Sequence, residues 1–197
     1  MAKPIVAVVG RPNVGKSTFF NKICGERISI VDDVPGVTRD RIYADAEWAG
    51  RNFTMIDTGG LDPKSEDVFQ KEIALQADVA IEMADVIVML VDGKSGITLA
   101  DEMLAKKLRK ISTPVVLVVN KLDRFEVADT FEFYALGLGQ PMPLSCEQSK
   151  GIGDVLDEIV AHFPPKNESE DEDGILKIAI VGRPNVGKSS IINRLLG

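Results

Sequence analysis

Gly10-Arg11-Pro12-Asn13-Val14-Gly15-Lys16-Ser17 lies between an apolar, β-branched run, Ile5–Val9, and an amphipathic stretch over 15–24. Glycine, four residues, then Gly-Lys-Ser is the spacing of a phosphate-binding loop, and strand–loop–helix is the setting such a loop needs. Its backbone N–H groups converge on polyphosphate oxygens, and the helix that follows adds the positive end of its dipole. Lys16 is expected to reach the β- and γ-phosphates. The Ser17 hydroxyl is expected to ligate magnesium, with Thr18 next to it in the first turn. The pattern specifies a triphosphate but not a base.

The same eight letters return at Gly182-Arg183-Pro184-Asn185-Val186-Gly187-Lys188-Ser189. Aligning 5–25 with 177–197 gives 12 identities in 21 positions, which reads as tandem homologous domains. The second copy reaches Gly197 after one helix, so the expectation is a piece of a longer tandem protein. The domain reading is 1–163 for the first domain, 164–175 for a linker and 176–197 for the start of the second. Five acids and one lysine after Pro164-Pro165, with no apolar residue up to Gly174, make the linker. The 176–197 segment carries a phosphate loop without the other motifs, so no base is expected to bind there.

Apolar runs at Ile5–Val9, Asn52–Ile56, Val86–Val91, Val115–Val119 and Met142–Leu144 read as buried strands, and the alternating Arg41–Trp48 as an edge strand. Helical patterns fall near 15–24, 65–83, 98–110, 126–136 and 151–162. This alternation predicts an α/β fold: a mostly parallel six-stranded sheet with helices on both faces, its ligand beyond the carboxyl ends of the strands.

Two further motifs sit at such ends. Asp57-Thr58-Gly59-Gly60, followed by Leu61, closes the third strand; Asp57 is placed to hold a magnesium-bound water and the Gly60 N–H to meet the γ-phosphate. Asn120-Lys121-Leu122-Asp123 follows Pro114–Val119. A carboxylate at Asp123 accepts two hydrogen bonds from guanine N1–H and its 2-amino group, a pair that adenine lacks. Asn120 supports the loop, and the Lys121 stem is expected to cover the ring. Ser145-Cys146-Glu147, after the next strand, is placed to offer an N–H to guanine O6. Asp92-Gly93-Lys94-Ser95-Gly96 lacks the phosphate-loop spacing and reads as a strand-to-helix turn.

Composition narrows the field. Of 197 residues, 45% are hydrophobic, enough for a core, yet the apolar runs are strand-sized and no membrane span is expected. The N-terminus runs directly into a strand, so no signal peptide is expected and a cytoplasmic location fits. Cys24, Cys146 and the lone His162 suggest neither a disulfide framework nor a zinc site, and read as packing or surface residues. Net charge is −7, with no basic stripe that would signal nucleic acid.

Phosphate loop, Asp-x-x-Gly and Asn-Lys-x-Asp in this order resemble the translation-factor-related GTPases. Two such domains joined by an acidic linker, with Arg-Pro-Asn-Val-Gly-Lys-Ser in each loop, resemble the bacterial Der (EngA) family of tandem GTPases. The resemblance implies a P-loop, Ras-like G domain that binds GTP and GDP and hydrolyses GTP with Mg2+. It implies a role in assembly of the large ribosomal subunit, and a KH-like domain after the second GTPase. Pro35-Gly36-Val37-Thr38-Arg39-Asp40 matches the first switch, where Thr38 would ligate magnesium and bind the γ-phosphate.

One position departs from Ras-like enzymes. Leu61 stands where they carry the glutamine that orients the attacking water, and leucine cannot hydrogen-bond a water. Asn13 resembles the asparagine with which related GTPases ligate potassium, implying K+-stimulated hydrolysis. Arg11, Arg39 and Arg41 read as solvated or partner-facing rather than as arginine fingers in cis. The alternative to a GTPase is a nucleotide-dependent binding module with negligible hydrolysis of its own.

Overall fold

The computed structural model describes residues 3–25, 42–57, 78, 82–122 and 127–165. The chain divides into two units, one of Ala2–Pro164 and one of Met1 with Pro165–Gly197. Every described residue except Pro165 belongs to the first. The expected linker beyond Pro165, the second phosphate loop and most of the expected 65–83 helix lie outside the described residues.

Within the first unit, strands and helices alternate: β1 (Ile5–Val9), α1 (Lys16–Cys24), β2 (Ile42–Trp48), β3 (Arg51–Asp57), β4 (Val86–Asp92), α2 (Leu99–Leu108), β5 (Val115–Asn120), a 3-10 helix (Val127–Leu136), β6 (Met142–Pro143) and α3 (Ile152–Ala161). The sheet order is β2-β3-β1-β4-β5-β6. All pairings are parallel except β2 with β3, a hairpin turning through Ala49 and Gly50. Both turn residues have positive φ, 49° and 71°, the geometry of a two-residue turn that matches strand twist.

Side chains of a strand alternate between faces, and β1 shows what each face meets. Val6 and Val8 join Phe19 and Phe20 of α1 with Val155, Leu156 and Ile159 of α3. Ala7 and Val9 join Leu104, Ala105 and Leu108 of α2 with Phe133 and Leu136 of the 3-10 helix. Each large apolar side chain buried in these layers contributes about 1.5–3 kcal/mol. β4 is buried at every position because it has helices on both sides. On the edge strand β2, buried Ala44 and Ala46 alternate with exposed Asp45 and Glu47.

The 126–136 pattern is helical as expected, but of the tighter 3-10 kind. Thr130, Phe133 and Leu136 are the buried positions, a spacing of three. α2 starts with a capping box: the Thr98 hydroxyl accepts from the Asp101 N–H, and the Asp101 carboxylate accepts from the Thr98 N–H. Among the described residues no helix is long and apolar enough to cross a membrane.

The chain leaves β1 to build β3 on one side and β4 on the other. The loop after β1 therefore opens at the point where strand order reverses, the crevice in which such sheets take ligands.

Candidate functional site

The loop from Gly10 to Ser17 sits at the carboxyl end of β1, and its shape requires its glycines. At Gly10, with φ 151°, a Cβ would collide with the carbonyl oxygen of Leu90; at Gly15, with φ 100°, it would collide with the Asn120 amide. Val14 between them is fully buried and anchors the loop on the core. Asn13 is exposed, in the left-handed region at φ 64°.

Lys16, the first residue of α1, is buried and folds back over the loop, donating to the carbonyls of Gly10 at 2.8 Å and Arg11 at 3.0 Å. The Ser17 hydroxyl donates to Asp57 Oδ2 at 3.0 Å. That contact joins the phosphate loop to the end of β3 and sets two oxygen donors together, the type of ligand that hard cations such as magnesium take.

Asn120 ties the other wall to the loop. Its Nδ2 donates to the Val14 carbonyl at 2.8 Å, and its Oδ1 accepts the Cys146 N–H at 3.0 Å. Ser145 exchanges backbone hydrogen bonds with Lys150 at 3.0 and 3.1 Å. Two of the three N–H groups of Ser145-Cys146-Glu147 thus have protein acceptors. A base oxygen there would compete with Asn120 or be met by Glu147. Lys121, at φ 66°, aims its ammonium at the Asn13 carbonyl and at Asp92 Oδ2, the latter at 2.8 Å. The Leu122 N–H donates to the Leu144 carbonyl at 3.4 Å, and its buried side chain packs against Gly93.

An ionic cluster that the sequence did not announce lies beneath these motifs. Arg11 donates to the Ser95 hydroxyl, and its Nε lies 3.4 Å from Asp101 Oδ2. Its side chain is 17% exposed, so Arg11 is neither solvated nor partner-facing as expected. Burial works against the Asp92 carboxylate. Hydrogen bonds from Lys121 and the Lys94 N–H, with the charges of Lys121 and Arg11, outweigh it and hold the group below the ordinary carboxylate value.

Cys24 and Cys146 are buried free thiols. Burial, helped at Cys24 by the charge of Asp45, pushes both up to about 11; at Cys146 it overcomes the opposing influence of Lys22 and Asn120. His162 lies 3.3 Å from Glu158 on the outer side of α3. A cleft of about 510 Å³ opens next to Lys121 and Leu122; its described lining carries two lysines, Lys94 and Lys121, and two acids, Asp129 and Glu132, and includes no phosphate-loop residue. Thr38, Thr58, Gly59, Gly60, Leu61 and Asp123 lie outside the described residues, as do Arg39, Arg41 and Gly182 to Ser189.

Residues 5–121 and 177–197 match the family described as 50S ribosome-binding GTPase. The chain is 60% identical, over its whole length, to GTPase Der of Clostridium perfringens, and 57% identical to that of Clostridium acetobutylicum. In both cases it spans 45% of the relative, somewhat under half the length of the curated proteins it matches. Among solved structures, Era bound to MgGDPNP and a segment of 16S ribosomal RNA is similar with a TM-score of 0.66 and 28% identity. That match covers 85% of this chain and 59% of Era. The G domain of the Thermotoga maritima FeoB iron transporter shares the fold, with a TM-score of 0.62 and 24% identity over 82% of this chain and 99% of that one. The matched stretches hold both phosphate loops, the Ser17–Asp57 pair and the start of the Asn120 tetrad, and the chain belongs to the family of 50S ribosome-binding GTPases.

Proposed function

We propose that the first unit is a GTP-binding and GTP-hydrolysing switch, and that the longer protein acts in assembly of the large ribosomal subunit, as the relatives' family description suggests. The observation that carries the nucleotide reading is the Asn120 bridge. One side chain holds the phosphate loop at Val14 and the 145–147 loop at Cys146, so phosphate cradle and base loop are tied to each other through Asn120. On this reading Gly10 to Thr18 hold the phosphates, with Lys16 moving its ammonium from loop carbonyls toward phosphate oxygens. Asp123 selects guanine, and Lys121 lies along the base.

The Ser17–Asp57 oxygen pair fits magnesium, Ser17 as a direct ligand and Asp57 through water, with Thr38 joining in the GTP state. Magnesium, when bound, neutralises charge developing on the phosphoryl oxygens. Thr38 and Gly60 would be ordered by the γ-phosphate and released after its loss, the switching that a two-state GTPase uses. Asn13, exposed at the loop's mouth, is the proposed potassium ligand that compensates for Leu61. The relatives are named GTPases, so a binding module without hydrolysis is not favoured.

Competition of GDP and ADP for the purified chain tests the base assignment; preference for ADP ends it. Multiple-turnover phosphate release with magnesium, compared in potassium and sodium, tests hydrolysis and the role of Asn13. Equal rates in the two salts would remove the potassium assignment and leave the GTPase reading standing.

A further inference from the structure

Asp92 ends β4, and its carboxylate faces two motifs at once. Oδ2 accepts from Lys121 Nζ at 2.8 Å and lies 3.9 Å from Arg11 Nη2, while Oδ1 accepts the Lys94 N–H at 2.9 Å. Lys121 also donates to the Asn13 carbonyl, and Arg11 also pairs with Asp101. Asp101 is fully buried and caps α2 through Thr98. Two cations and two carboxylates balance, and they link the base tetrad (Lys121), the phosphate loop (Arg11, Asn13) and the start of α2.

A lysine is a point charge on a flexible four-carbon stem, and a stem laid across a base has to be held at its far end. At 35% exposure the Lys121 side chain has room to swing. The Asn13 carbonyl offers it a dipole; Asp92, at 11% exposure, offers it a partly desolvated charge, the stronger anchor. Arg11 is drawn to the same carboxylate from under the phosphate loop, so the loop and the base cover share one support.

We propose that Asp92 is a positioning residue for the nucleotide, holding Lys121 along the base without touching the ligand itself, while Ser95 and Asp101 keep Arg11 beneath the phosphate loop. This rests on the reading of Lys121 as base cover. Holding a side chain in its bound position in advance lowers the ordering cost of binding. Asp92 therefore acts on affinity and residence time, and leaves the chemical step alone.

A double-mutant cycle on GDP affinity, with dissociation rates from a fluorescent GDP analogue, is the test. Asp92→Asn and Lys121→Met are each expected to weaken binding about tenfold to a hundredfold, mainly through faster release. The double variant is expected to be no more than about twofold worse than either. Single-turnover hydrolysis at saturating GTP should stay within about twofold in Asp92→Asn, and Asp92→Glu should restore most of the affinity. If the two losses multiply, or Asp92→Asn weakens binding while Lys121→Met does not, Asp92 does not act through Lys121 and the proposal falls. Unchanged affinity in Asp92→Asn also overturns it. If the amide variant does not fold, the cycle is run with Asp92→Ser, which also removes the charge and where losses that multiply with that of Lys121→Met have the same adverse meaning. Wild-type chain that ignores guanine nucleotides altogether is a different failure, that of the nucleotide assignment.

Discussion

Asn120 reaches Val14 across 106 residues of chain and donates to its carbonyl oxygen at 2.8 Å, in a position where Gly15 leaves no room for a Cβ. Because its Oδ1 also accepts the Cys146 N–H, truncation orphans a buried donor and a buried acceptor together. Each costs about 1–3 kcal/mol when left unpaired. Asn120→Ala is expected to lower unfolding free energy by about 2–4 kcal/mol and to abolish tight GDP binding. Urea melts in the absence of nucleotide separate the two effects. Unchanged stability would mean that the bridge does not join the walls.

Two glycines with positive φ separate backbone strain from collision. At Gly25, after α1, a Cβ meets nothing, so Gly25→Ala should cost only the backbone strain of φ 57° with ψ −144°, about 1–3 kcal/mol. At Gly10, with φ 151°, backbone strain is joined by collision with the Leu90 backbone carbonyl, which pairing of β4 with β5 at Leu90 and Val118 prevents from moving. Gly10→Ala is expected to cost about 2–5 kcal/mol in chemical denaturation. Equal losses at the two positions would refute the packing of the phosphate loop onto β4.

What the sequence discloses depends on how local the physics is. β4 was legible because every residue of Val86–Asp92 is apolar or ends the strand, and burial on both faces demands that composition. The 3-10 helix was not separable from an α-helix. Over ten residues a spacing of three and one of 3.6 place nearly the same apolar residues inward, and only Thr130, buried with Phe133 and Leu136, reveals the tighter period. The phosphate loop and the Asn120 tetrad were legible as contiguous motifs whose residue types serve the ligand. Arg11–Asp101 and Lys121–Asp92 were not, because partners 90 and 29 residues apart leave no periodicity behind.

Cys24 and Cys146 give a solution test of the core. Both thiols are held up at about 11, mainly by burial, so almost no thiolate forms near neutral pH. Neither is expected to react with a disulfide reagent at pH 8 in the folded chain, and both should react on denaturation. A value raised in the folded state means that unfolded thiols ionise first. The stabilising contribution is therefore full below pH 9 and is lost as pH rises toward 11. Rapid labelling of one thiol in the native chain would show that its layer opens.

Acid stability examines the Asp92 cluster from the opposite side. The Asp92 carboxylate is held below its ordinary value of 3.8, since hydrogen bonds and cations outweigh its burial. A carboxylate lowered in the folded state stabilises fully above its unfolded value, and that contribution disappears as pH falls through the folded one. The loss attributable to Asp92 therefore lies below pH 3.8. Asp45 is lowered as well, chiefly by its hydrogen bond from Lys3, but its side chain is 57% exposed. Salt should screen the Asp45 contribution while largely sparing that of Asp92. Thermal melts followed by Trp48, the single tryptophan, are expected to show a shallower acid slope in Asp92→Asn than in wild type, with a lower Tm at neutral pH. In high salt the difference between the two slopes should persist, whereas that between wild type and Asp45→Asn should shrink. An acid slope in Asp92→Asn as steep as that of wild type would mean that Lys121 and Arg11 do not hold this carboxylate in its charged form.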